Sequence, residues 1–254
     1  MFGGNNVLDK KLKSNGRNIR GIIQVGANIG QEIPILTRYA KNIYLFEPLT
    51  KAFNKLNENV SKYKDINIFK CALGEKNEVK EINISNKNYS ASSSLLKPSL
   101  HLEYFPEIEF DSYEKVEIKR FDNIKSEFIA NFLILDVQGY ELNVIKGFGE
   151  KIDNIDFIYT EVSIEELYEK SVLIQELDEE LYKLGFIRTN TKFASNKPQG
   201  DALYKNEEFF TNNQKRYYKI KSNFQLTKIY LFLNFIKDYK KIIYLIKKII
   251  QTLR

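Results

Sequence analysis

Tryptophan is absent from this chain, and cysteine, histidine and methionine each occur once. The single cysteine, Cys71, excludes an intrachain disulfide and cannot build a cysteine-rich zinc site. No secretory leader is recognisable: residues 1–18 are polar and rich in Gly and Asn, so a reducing cytoplasm is the expected compartment. Long apolar runs are missing too. The longest, residues 229–236, is interrupted by Asn234 and is far too short to span a bilayer. There is no G-K-[ST] phosphate loop and no G-x-G-x-x-G, which argues against nucleoside-triphosphate and dinucleotide binding.

What is present starts with charge. The 254 residues carry 39 Lys+Arg against 33 Asp+Glu, a net of +6. That figure hides a split, because residues 214–254 hold 11 basic residues and one acid. The first 213 hold 28 basic and 32 acidic groups, so the body is mildly acidic and the tail strongly basic. A nucleic-acid-binding domain should carry its cationic footprint on the folded core, so no nucleic-acid partner is expected. At 43% hydrophobic and 28% charged the composition is that of a globular protein. A body of this size buries roughly 70–75% of its unfolded surface.

The order of elements points to an α/β fold. Residues 19–25 are rich in β-branched side chains and stop at Gly26, as a strand buried on both faces would. Gly30 opens a helical pattern with Ile33, Leu36, Thr37 and Ala40 on one face. A second strand is expected over 42–46. An amphipathic helix follows over 49–63 with Phe53, Leu56 and Val60 inward, then a third strand over 66–72. Such alternation implies right-handed crossovers and a parallel, doubly wound sheet. Extended segments at 79–84 and 116–120 flank a long polar loop, 85–114, which carries serines at 90 and 92–94 and the sole histidine. A loop that long suits a lid or binding loop. The alternation resumes with strands at 132–137 and 157–162, separated by a helical turn at 141–146. A helix at 174–184 is capped by Gly185, and strands at 186–191 and 201–204 close the body. The expected organisation is an N-terminal segment (1–18), one catalytic domain (19–207) and a basic amphipathic helical tail (208–254). Helices are expected in the tail near 209–222, 226–235 and 239–253.

The strongest local signal is Gln24-Val25-Gly26-Ala27-Asn28-Ile29-Gly30, directly after the first strand. Glycines there permit a sharp turn and close approach to a ligand, while helix N–H groups face anionic ligand atoms. Glu47 ends the second strand about twenty residues on, where a carboxylate accepts from both ribose hydroxyls of an adenosine ligand. A tight turn alone would give the same glycines.

At this point the chain resembles a known family. Val25-Gly-Ala-Asn-Ile-Gly30, Phe46-Glu-Pro48, Cys71-Ala-Leu-Gly74, the serine cluster before Leu95, Arg120-Phe-Asp122 and Leu135-Asp-Val-Gln-Gly-Tyr-Glu141 occur in the order seen in FkbM-type S-adenosylmethionine-dependent O-methyltransferases. Glu161-Val162 continues the series, and the resemblance covers about residues 19–206. It implies a Rossmann-like seven-stranded methyltransferase fold, S-adenosyl-L-methionine as donor and a sugar or polyketide hydroxyl as acceptor. Gly26, Ala27, Asn28 and Gly30 would hold the amino-acid end of the donor, Glu47 its ribose, and Ala72 and Leu73 its adenine. Family members often have Lys and Glu where this chain has Ile134 and Gln138, so roles tied to those positions do not carry over.

Methyl transfer from a sulfonium needs carboxylates or carbonyls near the cation, and a sugar hydroxyl needs a general base or a divalent metal to lower its pKa. Asp136, at the carboxyl end of a strand, is the first candidate for base or metal ligand; capping of the following helix is its structural alternative. It also counts among the cofactor-facing residues. Glu161 could face the same crevice, with Glu141 a turn beyond. Asp136, Glu161 and His101 together could form a facial site for Fe, Mn or Mg, and His101 could alternatively serve as base or lie exposed. Tyr89, Ser92, Ser93 and Ser94 are candidates for acceptor contacts, with Asp201 and Asn196 as weaker ones, and Asp122 is read as structural.

The expected function is therefore O-methylation of a nucleotide-activated sugar or a surface polysaccharide such as capsule or lipopolysaccharide. The alternative is a non-catalytic donor- or glycan-binding module tethered to a membrane. The tail fits a helix lying on an anionic membrane at the inner face of the cytoplasmic membrane, or helices that pack on the body or a second subunit.

Overall fold

The computed structural model describes residues 5–229. Its body is built on a seven-stranded sheet in the order β3-β2-β1-β7-β8-β10-β9. The strands are β1 (Gly21–Val25), β2 (Asn42–Phe46), β3 (Ile66–Phe69), β7 (Phe132–Leu135), β8 (Phe157–Ser163), β9 (Phe186–Phe193) and β10 (Gln199–Asn206). β1 pairs parallel with β2 and β7, β2 with β3, and β7 with β8. β10 pairs antiparallel with both β8 and β9, so it alone runs against the others. β1 and β7 are buried along their whole length, which is why their sequences are apolar runs rather than alternations. The expected mostly parallel α/β sheet is what the chain forms.

A second sheet, β4-β6-β5, packs the intervening chain. It comprises β4 (Ala72–Leu73), β5 (Glu78–Ser85) and β6 (Phe110–Lys119). This corrects two expectations. The strand expected over 66–72 is split: Ile66–Phe69 joins the large sheet, the chain turns at Lys70 and Cys71, and Ala72–Leu73 pairs with β6. The polar loop is also shorter than expected, because β6 begins at Phe110 and the loop holds a helical turn, α4 (His101–Tyr104). The first half of β6 is largely exposed, so its polar side chains read as loop.

Helices cover the large sheet. α1 (Asn5–Asn15) lies in the stretch read as a polar segment, and Leu8 and Leu12, four apart on one face, enter the main core. α2 (Ile33–Leu36) is a single turn, with Thr37 exposed rather than inward. α3 (Thr50–Val60) buries Ala52, Leu56 and Val60, with Phe53 packed at the core's edge. α5 (Glu141–Gly147) and α6 (Ile174–Lys183) complete the crossovers.

Residues Phe210–Arg254 form a separate unit. Positions 212–229 are one uninterrupted helix, so the break expected between 222 and 226 does not occur. The expected helix at 239–253 and most of the one at 226–235 lie outside the described residues.

Candidate active site

The order of the large sheet reverses at β1, with β2 and β3 on one side and β7 and β8 on the other. Open α/β sheets bind ligands in the crevice at such a point, beyond the carboxyl ends of the strands. A cleft of about 780 Å³ opens there. Gly26, Asn28, Glu47, Ala72, Leu73 and Asp136 line it, all of them singled out from sequence.

Gly26 explains how the two central strands come so close. Its φ is +83°, and a Cβ there would lie 1.9 Å from the Asp136 carbonyl oxygen. No side chain fits. The N–H groups of Gly26 and Ala27 both donate to the Phe46 carbonyl at 3.0 Å, and Gly30 N–H donates to Ala27 O at 2.8 Å. Because α2 starts at Ile33, the expected row of free helix amides at Gly30 is absent. Ala27 and Gly30 shape the turn: Ala27 lies in the core, and Gly30 is backed by Ile33 and Leu56.

The Glu47 carboxylate organises the far side. It is 4% exposed and accepts from the Asn28 N–H at 2.8 Å and the Leu49 N–H at 2.9 Å. Burial pushes its pKa up to about 7, against the lowering effect of those two hydrogen bonds. Asn28, itself at φ +48°, donates through its side chain to the Tyr89 carbonyl and so ties the glycine turn to the serine loop.

Beyond β7 the carboxylates gather around an amide. Gln138 Nε2 donates to Asp136 Oδ1 at 2.7 Å and to Glu161 Oε2 at 2.9 Å. The single Tyr168 hydroxyl proton is shared between the Ser92 carbonyl at 2.8 Å and Gln138 Oε1 at 3.0 Å. Glu161 titrates well above the ordinary carboxylate range, first because it is buried and then because Asp136 is beside it. Glu141 accepts from the Val137 and Gly139 N–H groups, and burial raises it to about 7. It braces the loop after β7 from behind and does not line the cleft.

The metal proposal is not supported. Among the described residues no group of three or more His, Cys, Asp or Glu is placed to hold an ion. The donor set does not fit one either, since the Gln138 amide, a hydrogen-bond donor, lies between the two carboxylates. His101 is not exposed and does not reach them: it is 2% exposed, boxed in by Phe105, Phe110 and Tyr168. That burial lowers its pKa to about 4.

The serine loop faces the cleft with Ser93 and Ser94, but Ser92 and Tyr89 are off its wall. Its hydroxyls are engaged in holding the loop. Ser94 Oγ donates to Gln138 O at 2.7 Å, and Ser93 Oγ accepts from the Ser85 N–H. Asp201 lines a second cleft of about 630 Å³ with Glu161, Lys192 and Gln199, whereas Asn196 is exposed at a turn. Asp122 pairs with Arg120.

Sequence reasoning quoted Gln24 and Tyr140 within motifs but gave them no role, and passed over Glu32; all three line the cleft. Gln24 Nε2 reaches Glu32 Oε2 at 3.3 Å, and burial raises the Glu32 pKa. The available signal was a lone glutamine inside an apolar strand.

The model of the methyltransferase FkbM domain matches residues 24–188. The chain belongs to the FkbM methyltransferase family. It is 31% identical over 158 residues to the 2-O-methyltransferase NoeI of Sinorhizobium fredii (strain NBRC 101917 / NGR234), covering 58% of this chain and 65% of that relative. Among solved structures it resembles the FkbM methyltransferase from Methylobacillus flagellatus KT, with a TM-score of 0.50 and 15% identity over 73% of this chain. This chain spans 43% of that one, and the likeness shows the fold alone.

Proposed function

We propose that the protein is an S-adenosylmethionine-dependent O-methyltransferase acting on a sugar hydroxyl, of a nucleotide-activated sugar or of a surface polysaccharide. The carrying observation is one cleft at the strand-order reversal with Glu47 on one wall and Asp136 on the other. The NoeI relative, a 2-O-methyltransferase by name, supports oxygen as the methyl acceptor.

The residues fit the donor. Gln24 Oε1 is a buried acceptor on the cleft wall without a hydrogen-bond partner within the protein, suited to an ammonium or hydroxyl donor. Glu47 keeps lone pairs for ribose hydroxyls beside its two backbone bonds. Ala72 and Leu73 offer an apolar wall to a base. The bound donor supplies an electrophilic methyl on a sulfonium. An acidic wall without a phosphate clamp suits that charge.

Asp136 is the base in this reading. As the acceptor oxygen takes the methyl that the bound donor would supply, the Asp136 carboxylate would receive the hydroxyl proton. Replacing a general base costs about 10²–10⁴-fold. Asp136→Asn should lower kcat by that order on a nucleotide-sugar panel read by mass spectrometry. Unchanged transfer would remove Asp136 from the mechanism. Donor binding with no transfer by the wild-type chain to any sugar would favour a binding module.

We also propose that the basic segment 214–254 brings the enzyme to an anionic membrane surface, at the inner face of the cytoplasmic membrane.

A further inference from the structure

The Gln138 side chain has a role that the proposed mechanism leaves unassigned. It is 5% exposed and its backbone sits at φ +53°, a conformation few non-glycine residues adopt. An amide has two N–H bonds and one carbonyl oxygen, and here every one is directed. Nε2 reaches Asp136 and Glu161, while Oε1 faces the Tyr168 hydroxyl. The backbone carbonyl takes the Ser94 hydroxyl. Tyr168 also lies 2.8 Å from the Ser92 carbonyl, so the same residues hold the serine loop against the loop after β7. With both carboxyls ionised the amide orientation is set, because reversing it would point its oxygen at two carboxylates.

We propose that Gln138 is a positioning residue that cross-links Asp136 and Glu161 through one amide nitrogen, holding Asp136 toward the methyl-transfer site and doing by hydrogen bonding what a bound cation would do between two carboxylates. Asp136 lines the donor cleft while Glu161 lines the second cleft, so the amide joins the walls of the two spaces. The other charged or titratable groups near the pair are Glu141 on α5, Asp201 on β10, Tyr159 on β8 and Tyr168. Lys192 lines the second cleft with Glu161, and Gln199 Nε2 donates to Glu161 Oε1 at 3.2 Å, but the Gln138 amide is the donor that reaches both carboxylates. The catalytic consequence rests on the methyltransferase reading; the cross-link itself does not.

Carboxyl ¹³C NMR titration reads the cross-link without any acceptor. Glu161→Gln removes one resonance and so assigns it. In Gln138→Ala the Glu161 midpoint should rise further, since a hydrogen bond to its charged form is lost. The same variant should lose about 10²-fold in kcat through misplacement of the base, with the S-adenosylmethionine Kd within about twofold of wild type. Gln138→Glu keeps the side-chain volume and guards against a folding defect in the alanine variant. It should also raise the Glu161 midpoint, and it should bind Mn²⁺ by electron paramagnetic resonance where the wild type binds none. A Glu161 midpoint unmoved in a folded variant, or Mn²⁺ binding by the wild type at the same residues, would overturn the cross-link. If no sugar is methylated by any form while the Glu161 midpoint shifts as stated, the sugar-methyltransferase reading fails and the cross-link stands.

Discussion

Glu47 shows how one buried carboxylate links folding to ligand binding. In the unfolded chain it ionises near 4.5, and in the fold near 7. Between those values the folded state holds a proton that the unfolded state has lost. Its contribution to stability therefore falls as pH rises from 4.5 to 7 and is level above. Ribose hydroxyls donating to the carboxylate would favour the ionised form. S-adenosylmethionine binding near pH 6 should accordingly release a fraction of a proton, seen in calorimetry as a binding enthalpy that varies with buffer ionisation enthalpy. In Glu47→Gln that variation should vanish. His101 has the opposite sign: its pKa is lowered from 6.5 to about 4, so its contribution is lost as pH falls through that range. His101→Phe should raise the melting temperature at pH 5 by roughly 2–4 °C and leave kcat unchanged at pH 7, where the wild-type ring is neutral. Glu47 was legible from its spacing after the glycine turn. The burial of His101 was not, because Phe105, Phe110 and Tyr168 enclose it from three separate elements. Gln138 was visible only as a departure from family habit, since its partners lie at 136, 161 and 168.

Among the elements, β9 and β10 at the edge of the large sheet depend on one ionic tie. Arg188, wholly buried on β9, grips both carboxylate oxygens of Asp178 on α6, and its other nitrogen reaches Thr191. Tyr204 on β10 donates to the same carboxylate at 2.7 Å. Removing one partner of a buried ion pair costs about 3–5 kcal/mol, because the other charge stays buried and uncompensated. Asp178→Ala should lose that much in denaturant unfolding, while the folded fraction keeps the wild-type Kd for S-adenosylmethionine. Strands β1, β2, β7 and β8 were readable because burial on both faces leaves mostly apolar runs. β6 was half-hidden because its exposed half is charged, and β4 because two residues carry no period. α1 escaped for a similar reason: two leucines four apart are too few to set a period, though they are enough to reach the core.

At the scale of the whole chain, the division of charge outlasts the fold description. The body's net negative charge agrees with a cleft suited to a sulfonium, while residues 214–254 carry +10. The described start of that segment adds a surface. On the helix at 212–229, Tyr217, Ile220 and Phe224 are each more than half exposed, and their spacing of three and four puts them on one face. Lys221 and Lys228 lie over the Tyr217 and Phe224 rings. An apolar strip with ammonium groups beside it suits the boundary between headgroups and acyl chains, where each basic residue adds about 1 kcal/mol. No described helix is long and apolar enough to cross a membrane. The full chain should sediment with vesicles containing phosphatidylserine, and less so as salt rises above about 0.15 M. Deleting 215–254 should abolish sedimentation, and changing Tyr217, Ile220 and Phe224 together to Ser should weaken it while the lysines remain. Should the deletion instead convert a dimer to a monomer with vesicle binding never seen, the strip is an assembly surface. Methyl transfer to a soluble nucleotide sugar should survive the deletion in either case, because among the described residues the cleft is lined by positions 24–140 alone.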